Sequence, residues 1–111
     1  MASVEEGFRR LTIGDPAFVA ALSDRDGRVT GLKRLDALTD ALLRVAAMVA
    51  VDAPPSSYRG AVEAAQLAGA RLEDLFAVLS AVAADVGSAR VIAAAPRIAL
   101  AAGYDVEAAL E

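Results

Sequence analysis

The residues best equipped for chemistry follow a Pro-Pro break: Ser56, Ser57, Tyr58 and Arg59. Hydroxyls donate hydrogen bonds and a guanidinium holds an anion. The functional reading of this stretch takes Ser57 and Tyr58 as donors and Arg59 as an anion contact. The same residues have a plainer structural reading, with a serine as helix cap, Tyr58 as amphipathic core and Arg59 at the surface. Arg44, Asp85 and Arg97 form a second group, set in otherwise apolar stretches. An unpaired buried charge is costly. Each of these three is therefore exposed, held in a structural ion pair, or part of a buried acid–base arrangement. In the last case Asp85 would accept a proton and an arginine would hold a carboxylate. Glu63 lies four residues after Arg59, which predicts an intrahelical pair.

The residue types that are missing narrow the chemistry further. The chain has no cysteine and no histidine. That excludes thiolate chemistry and removes the one side chain whose ordinary pKa lies near neutrality. No metal site is expected, because only an all-carboxylate cluster remains and no Asp/Glu spacing suggests one. No glycine-rich phosphate loop and no cofactor motif occur. The net charge of -4 argues against a nucleic-acid partner. The nearest basic stretch, Arg25, Arg28, Lys33 and Arg34, is interrupted by Asp24, Asp26 and Asp36 and reads as a solvated loop. No membrane span is expected, since Arg44, Asp52, Glu63, Asp85 and Arg97 break every long apolar run. The start, MASVEEGFRR, has no apolar signal core, and a cytoplasmic location is the expectation.

These residues must be positioned by helices. Residues 3–12 suggest a short one. Asp15-Pro16 is a helix start, leading through Phe18, Val19 and Leu22. Residues 23–31 (SDRDGRVTG) read as a loop. From Leu35 to Val51 the spacing of Leu35, Leu38, Leu42, Val45 and Val49 is helical, with Asp36, Asp40 and Arg44 outside and Asp40–Arg44 a favourable pair. Residues 52–55 end that helix. An alanine-rich helix, expected to be buried between others, runs from about Ser56 to Ala68 and closes on Gly69. Glu73 and Asp74 open the next, through Leu75, Phe76, Val78, Leu79 and Val82 to Gly87. Ser88 is expected to cap a further helix ending at Gly103, kinked or divided at Pro96. Asp105 caps a last short turn. The fold class is all-α, with residues 1–31 as an N-terminal extension and 32–111 as the main helical domain. Apolar residues make up 57% of the chain but aromatics only 5%. Small side chains bury little area each, so a homo-oligomer is expected.

Three segments, LDALTDALLRVAAMVAV, APPSSYRGAVEAAQLAGA and RLEDLFAVLSAVAADVGSARV, resemble the carboxymuconolactone decarboxylase family in order and spacing. That family includes the alkyl hydroperoxidase D-like proteins. The likeness covers about residues 32–104. Gly69-Ala70-Arg71-Leu72-Glu73-Asp74-Leu75 is similar to the family's Gly-Ala and acidic-pair stretch, and Gly87 matches its later glycine. Arg71 departs from the pattern, standing where a capping Ser or Thr is usual. The resemblance implies an alkyl hydroperoxidase D-like helical bundle assembled as a trimer or hexamer. It also implies two chemistries: peroxide reduction by a C-x-x-C pair with a following His, or lactone decarboxylation relying on a His. The redox pattern falls near Pro54, Ser57 and Ala61, and all three of its groups are replaced. A serine forms neither thiolate nor disulfide, so thiol peroxidase chemistry is lost.

The resulting expectation is a carboxymuconolactone decarboxylase-like protein acting as a small-ligand-binding or structural oligomer, with no catalytic residue assigned. Its candidate ligand contacts are Ser57, Tyr58, Arg59, Arg44, Asp85 and Arg97. The alternative is a cofactor-independent lactone decarboxylase- or isomerase-like enzyme working through Tyr58, Asp85 and arginines. A third reading is a helical subunit that packs on another protein.

Overall fold

The computed structural model describes residues 3–24 and 33–110. Among them every regular element is helical: α1 (Val4–Thr12), α2 (Pro16–Leu22), α3 (Ala37–Ala50), α4 (Pro55–Leu67), α5 (Leu72–Val86), α6 (Ser88–Ala101) and α7 (Val106–Ala109). The chain divides into two compact units, Met1–Leu35 and Asp36–Glu111. Arg25, Arg28 and most of the loop expected over 23–31 lie outside the described residues.

Helix starts follow the capping chemistry. The Ser3 hydroxyl accepts from the Glu6 amide at 3.1 Å, and Asp15 accepts from the Ala17 amide at 3.1 Å ahead of Pro16. Asp36, expected on the outer face of α3, is instead its N-cap. It takes the Thr39 hydroxyl at 2.6 Å and the Thr39 amide at 3.2 Å. Those bonds, the hydroxyl first, hold the Asp36 carboxyl below its ordinary value. At the start of α5 the roles reverse: the Arg71 amide donates to the Asp74 carboxylate at 2.8 Å, so the acid on the first turn substitutes for the absent Ser or Thr. Gly87, at φ 88°, begins α6 in place of the expected Ser88, which is the first helical residue.

In the first unit Glu6, Arg9 and Arg10 of α1 are paired locally. Glu6 meets Arg9 at 3.0 Å and Arg10 at 3.7 Å, and Arg10 reaches Asp15 at 3.6 Å. The Arg10 guanidinium also lies 5.5 Å from the centroid of the buried Phe18 ring, a cation–π distance.

In the second unit α3 packs on α4 and α5, and α6 packs on the same two. The interior is built from seams at three- and four-residue spacing: Ala41, Val45 and Val49 of α3; Tyr58, Val62 and Ala65 of α4; Leu75, Val78 and Leu79 of α5; Ala94 and Ile98 of α6. Three expectations change here. The α3 seam turns on Ala41 rather than on the leucines, since Leu35 precedes the helix and is exposed, and Leu38 and Leu42 are only partly buried. Helix α4 is buried along one stripe rather than all round. Helix α6 is not divided at Pro96 and continues through it as one element. Small residues on the seams let helix axes approach closely, which explains why alanines occupy the inside while Phe76, Leu67 and Leu100 stay outside.

Leu75 is fully buried. Leu75→Ala is expected to lower unfolding free energy by about 2–5 kcal/mol, read by urea denaturation. The Asp36 cap carries a lowered carboxyl pKa, so its stabilisation is present above the ordinary value of 3.8 and is lost as pH falls through the lowered one. Asp36→Asn is expected to flatten that part of the acid limb in a melting-temperature-versus-pH series.

Candidate functional site

The corner between α3 and α4 organises the polar residues. Helix α3 ends with Asp52 in the left-handed region at φ 52°, the sole non-glycine with positive φ among the described residues. The Ala53 amide returns to the Met48 carbonyl at 3.0 Å and the Asp52 amide to Val49 at 3.2 Å. This is the hydrogen-bond closure usually built on glycine, as Gly69 does after α4. Aspartate tolerates that backbone better than most residues. Its carboxylate is then used: Arg97 of α6 donates to Asp52 at 3.2 Å and to the Ala53 carbonyl at 2.8 Å. One turn-pair earlier on α6, Arg90 donates to the Ala50 carbonyl. Arg90 therefore covers a carbonyl left open at the end of α3, where a positive charge is also favoured by the helix dipole, while Arg97 holds the turn that follows it.

Tyr58 enters from the first turn of α4 and is fully buried. Its hydroxyl has no hydrogen-bond partner. Burial raises the phenol pKa, Arg97 opposes the rise and Asp52 reinforces it. The phenol is therefore neutral at physiological pH and unsuited to act as a base.

On the outer side of the same helices lies a groove of about 330 Å³. Ser56 and Arg59 of α4 and Arg97 of α6 provide its polar wall, and Pro55, Pro96 and Leu100 provide much of its apolar lining. Arg97 is committed to the corner. Arg59 forms no ion pair, and the pair expected with Glu63 is absent because both side chains extend into solvent.

The structure thus brings together Arg59 and Arg97 on one groove, with Tyr58 inside the same turn of α4. It does not bring in the others. Ser57 is exposed and does not line the groove, and Ser56 takes that place. Arg44 is bound by Asp40 at 2.7 Å on α3. Asp85 is exposed near the end of α5, without an ion pair. Two further grooves, of about 390 and 320 Å³, take in none of these residues. The sequence reading missed Arg90 and Asp52. Its available signal was that Arg90 and Arg97 stand seven apart, on one face of α6, and that an aspartate follows α3 where glycine is usual.

No group of three or more acidic residues suited to a metal ion occurs among the described residues. None of their helices is long and apolar enough to cross a membrane. No protein-family model, curated protein or solved structure matches the chain.

An unsatisfied buried hydroxyl costs about 1–3 kcal/mol. Tyr58→Phe is therefore expected to leave stability unchanged or raise it. Arg97→Ala is expected to lower it by about 1–3 kcal/mol through the Ala53 carbonyl and Asp52 bonds, with Arg97→Lys restoring only part. Thermal and chemical unfolding of the three variants distinguishes a structural corner from a Tyr-based reaction centre.

Proposed function

We propose that the protein is a carboxymuconolactone decarboxylase-like helical oligomer, trimeric or hexameric, that lacks thiol peroxidase chemistry and holds a small organic anion. The order of α3 to α6, with breaks at the proline pair, Gly69 and Gly87, supports the family likeness. Loss of both cysteines and the histidine at the corresponding positions supports a binding role over a redox one.

The observation that carries the ligand reading is the groove between α4 and α6. It pairs an unneutralised guanidinium, Arg59, with the Ser56 hydroxyl and with the apolar surfaces of Pro96 and Leu100. Such a wall suits a carboxylate joined to a compact hydrocarbon body. The guanidinium fork fits carboxylate geometry, and the volume, about 330 Å³, falls at the small end of ligand sites. The enzymatic alternative has less support. Its proton acceptor, Asp85, is on α5 in solvent, Arg44 is occupied by Asp40, and Tyr58 is held neutral.

Benzoate and hexanoate serve as probes, with benzyl alcohol and hexanol as uncharged counterparts. Calorimetry and thermal shift are expected to show binding of the acids, weakened by salt, and roughly tenfold or greater loss in Arg59→Ala, corresponding to about 1.4 kcal/mol. Equal binding of the alcohols, or an unaffected Arg59→Ala, would overturn the anion assignment. Absence of binding by all four probes would leave a structural oligomer.

A further inference from the structure

The largest of the three grooves lies on the opposite side of α6's proline, between α5 and α6 and closed by the segment leading into α7. Its volume is about 390 Å³ and its walls are almost wholly apolar, including Leu72, Phe76, Leu79, Pro96, Tyr104 and Val106. Phe76 is 68% exposed and Leu72 is 49% exposed. Large apolar side chains gathered on one surface mark an interaction site rather than ordinary surface scatter.

A matching surface exists elsewhere on the same chain. Helix α1 carries Val4, Phe8 and Leu11 at i, i+4 and i+7, all exposed, with Phe8 at 69%. These positions form one stripe. Of the helix's charged residues, Glu5 stands at the edge of the stripe with no ion pair among the described residues, while Glu6, Arg9 and Arg10 are already paired within the first unit. The stripe can therefore be covered without stranding those charges. At nine residues α1 is about 14 Å long, a length suited to a groove walled by a few turns of two helices.

We propose that α1 of one copy docks its Val4–Phe8–Leu11 stripe into the α5–α6 groove of a second copy, and that the second copy returns the same contact about a two-fold axis. The area argues for a second copy. An aromatic side chain buries on the order of 150–250 Å² when covered. Phe8, Phe76 and Tyr104, each partly exposed, with their aliphatic neighbours remove roughly 600 Å² in one contact. That falls below the roughly 1,200 Å² at which specific interfaces begin. A reciprocal exchange doubles it, and it is available only to a partner carrying both surfaces, as every copy of this chain does. The proposal rests on the oligomeric part of the functional reading and names its contact.

The cysteine-free sequence makes the test direct, because any introduced thiols are the only ones present. Phe8→Cys protein is mixed with Phe76→Cys protein and oxidised, beside each variant alone. The expected result is a disulfide-linked dimer in the mixture, in large excess over either variant alone. Light scattering of the unaltered protein at micromolar concentration is expected to give an even number of copies, which the hexamer satisfies; a trimer overturns the two-fold contact and leaves the oligomer reading standing. Phe76→Glu is expected to lose the assembly while its far-ultraviolet dichroism stays helical. An oligomer without the mixed cross-link overturns this contact and leaves the oligomer reading standing. A protomer mass overturns both. A Phe8→Cys/Phe76→Cys double variant that closes only within its own chain overturns the exchange.

Discussion

The closure of α3 by Arg97 is the interaction on which the second unit's arrangement turns. The end of α3 leaves the Ala50 carbonyl without a helical partner, and the turn that follows carries the buried Ala53, whose carbonyl must also be met. Here the carbonyl of Ala53 and the carboxylate of Asp52 are both taken by one guanidinium from α6. Arg90 adds the Ala50 carbonyl from the same face of α6. At the other end of the unit, Gln66 of α4 donates to the Ala102 carbonyl at 3.3 Å. Helix α6 is thus tied to the α3–α4 hairpin at both ends, by bonds that only long polar side chains can make. The left-handed backbone of Asp52 belongs to the same device: glycine would relax the backbone but would forfeit the carboxylate that orients Arg97.

A second constraint is the size of the residues on the seams. Ala41, Ala53, Ala65, Ala70 and Ala94 are buried, while Phe8, Phe76, Leu67, Ile92 and Leu100 are exposed. Large side chains such as Tyr58, Leu75 and Ile98 still fill the centre, but several others that usually supply buried area are left outside. Close helix contact accounts for the inner half of the pattern. The outer half gives the protomer apolar surface that it does not use itself, concentrated where α5 and α6 meet. A chain this short buries a smaller fraction of its surface than a larger domain does, and the proposed assembly would cover part of what is left open.

Much of the fold was legible in the sequence because its helix boundaries are written in local chemistry. Asp15-Pro16, the proline pair at 54–55, Gly69, Gly87 and Asp105 each act through bonds within a few residues of themselves. The facing of the helices was less legible. Periodicity places Leu38, Leu42 and Val45 in one stripe, but which edge of that stripe becomes core depends on how closely a neighbour approaches, and Ala41 wins that position through its size. At the site, Arg59 and Arg97 were found as residues, yet their division of labour was not. Whether an arginine meets a carbonyl forty-four residues away is a tertiary fact. The same holds for Arg44, where a local pair with Asp40 was visible at four-residue spacing and prevails.

That division of labour bears directly on what the α4 start can do. Of the polar groups near it, Arg97 is fixed by the corner, Tyr58 is sealed beneath it with a neutral phenol, and only Arg59 and Ser56 face the groove unengaged. General acid–base catalysis works best with a group that changes protonation near the operating pH. Neither a guanidinium nor a serine hydroxyl lacking an adjacent base does so. A fixed positive charge beside apolar surface is what the proposed binding role asks for, and the groove supplies it. The first turn of α4 thus has two faces, one packing Tyr58 into the interior and the other presenting Ser56 and Arg59 to the groove.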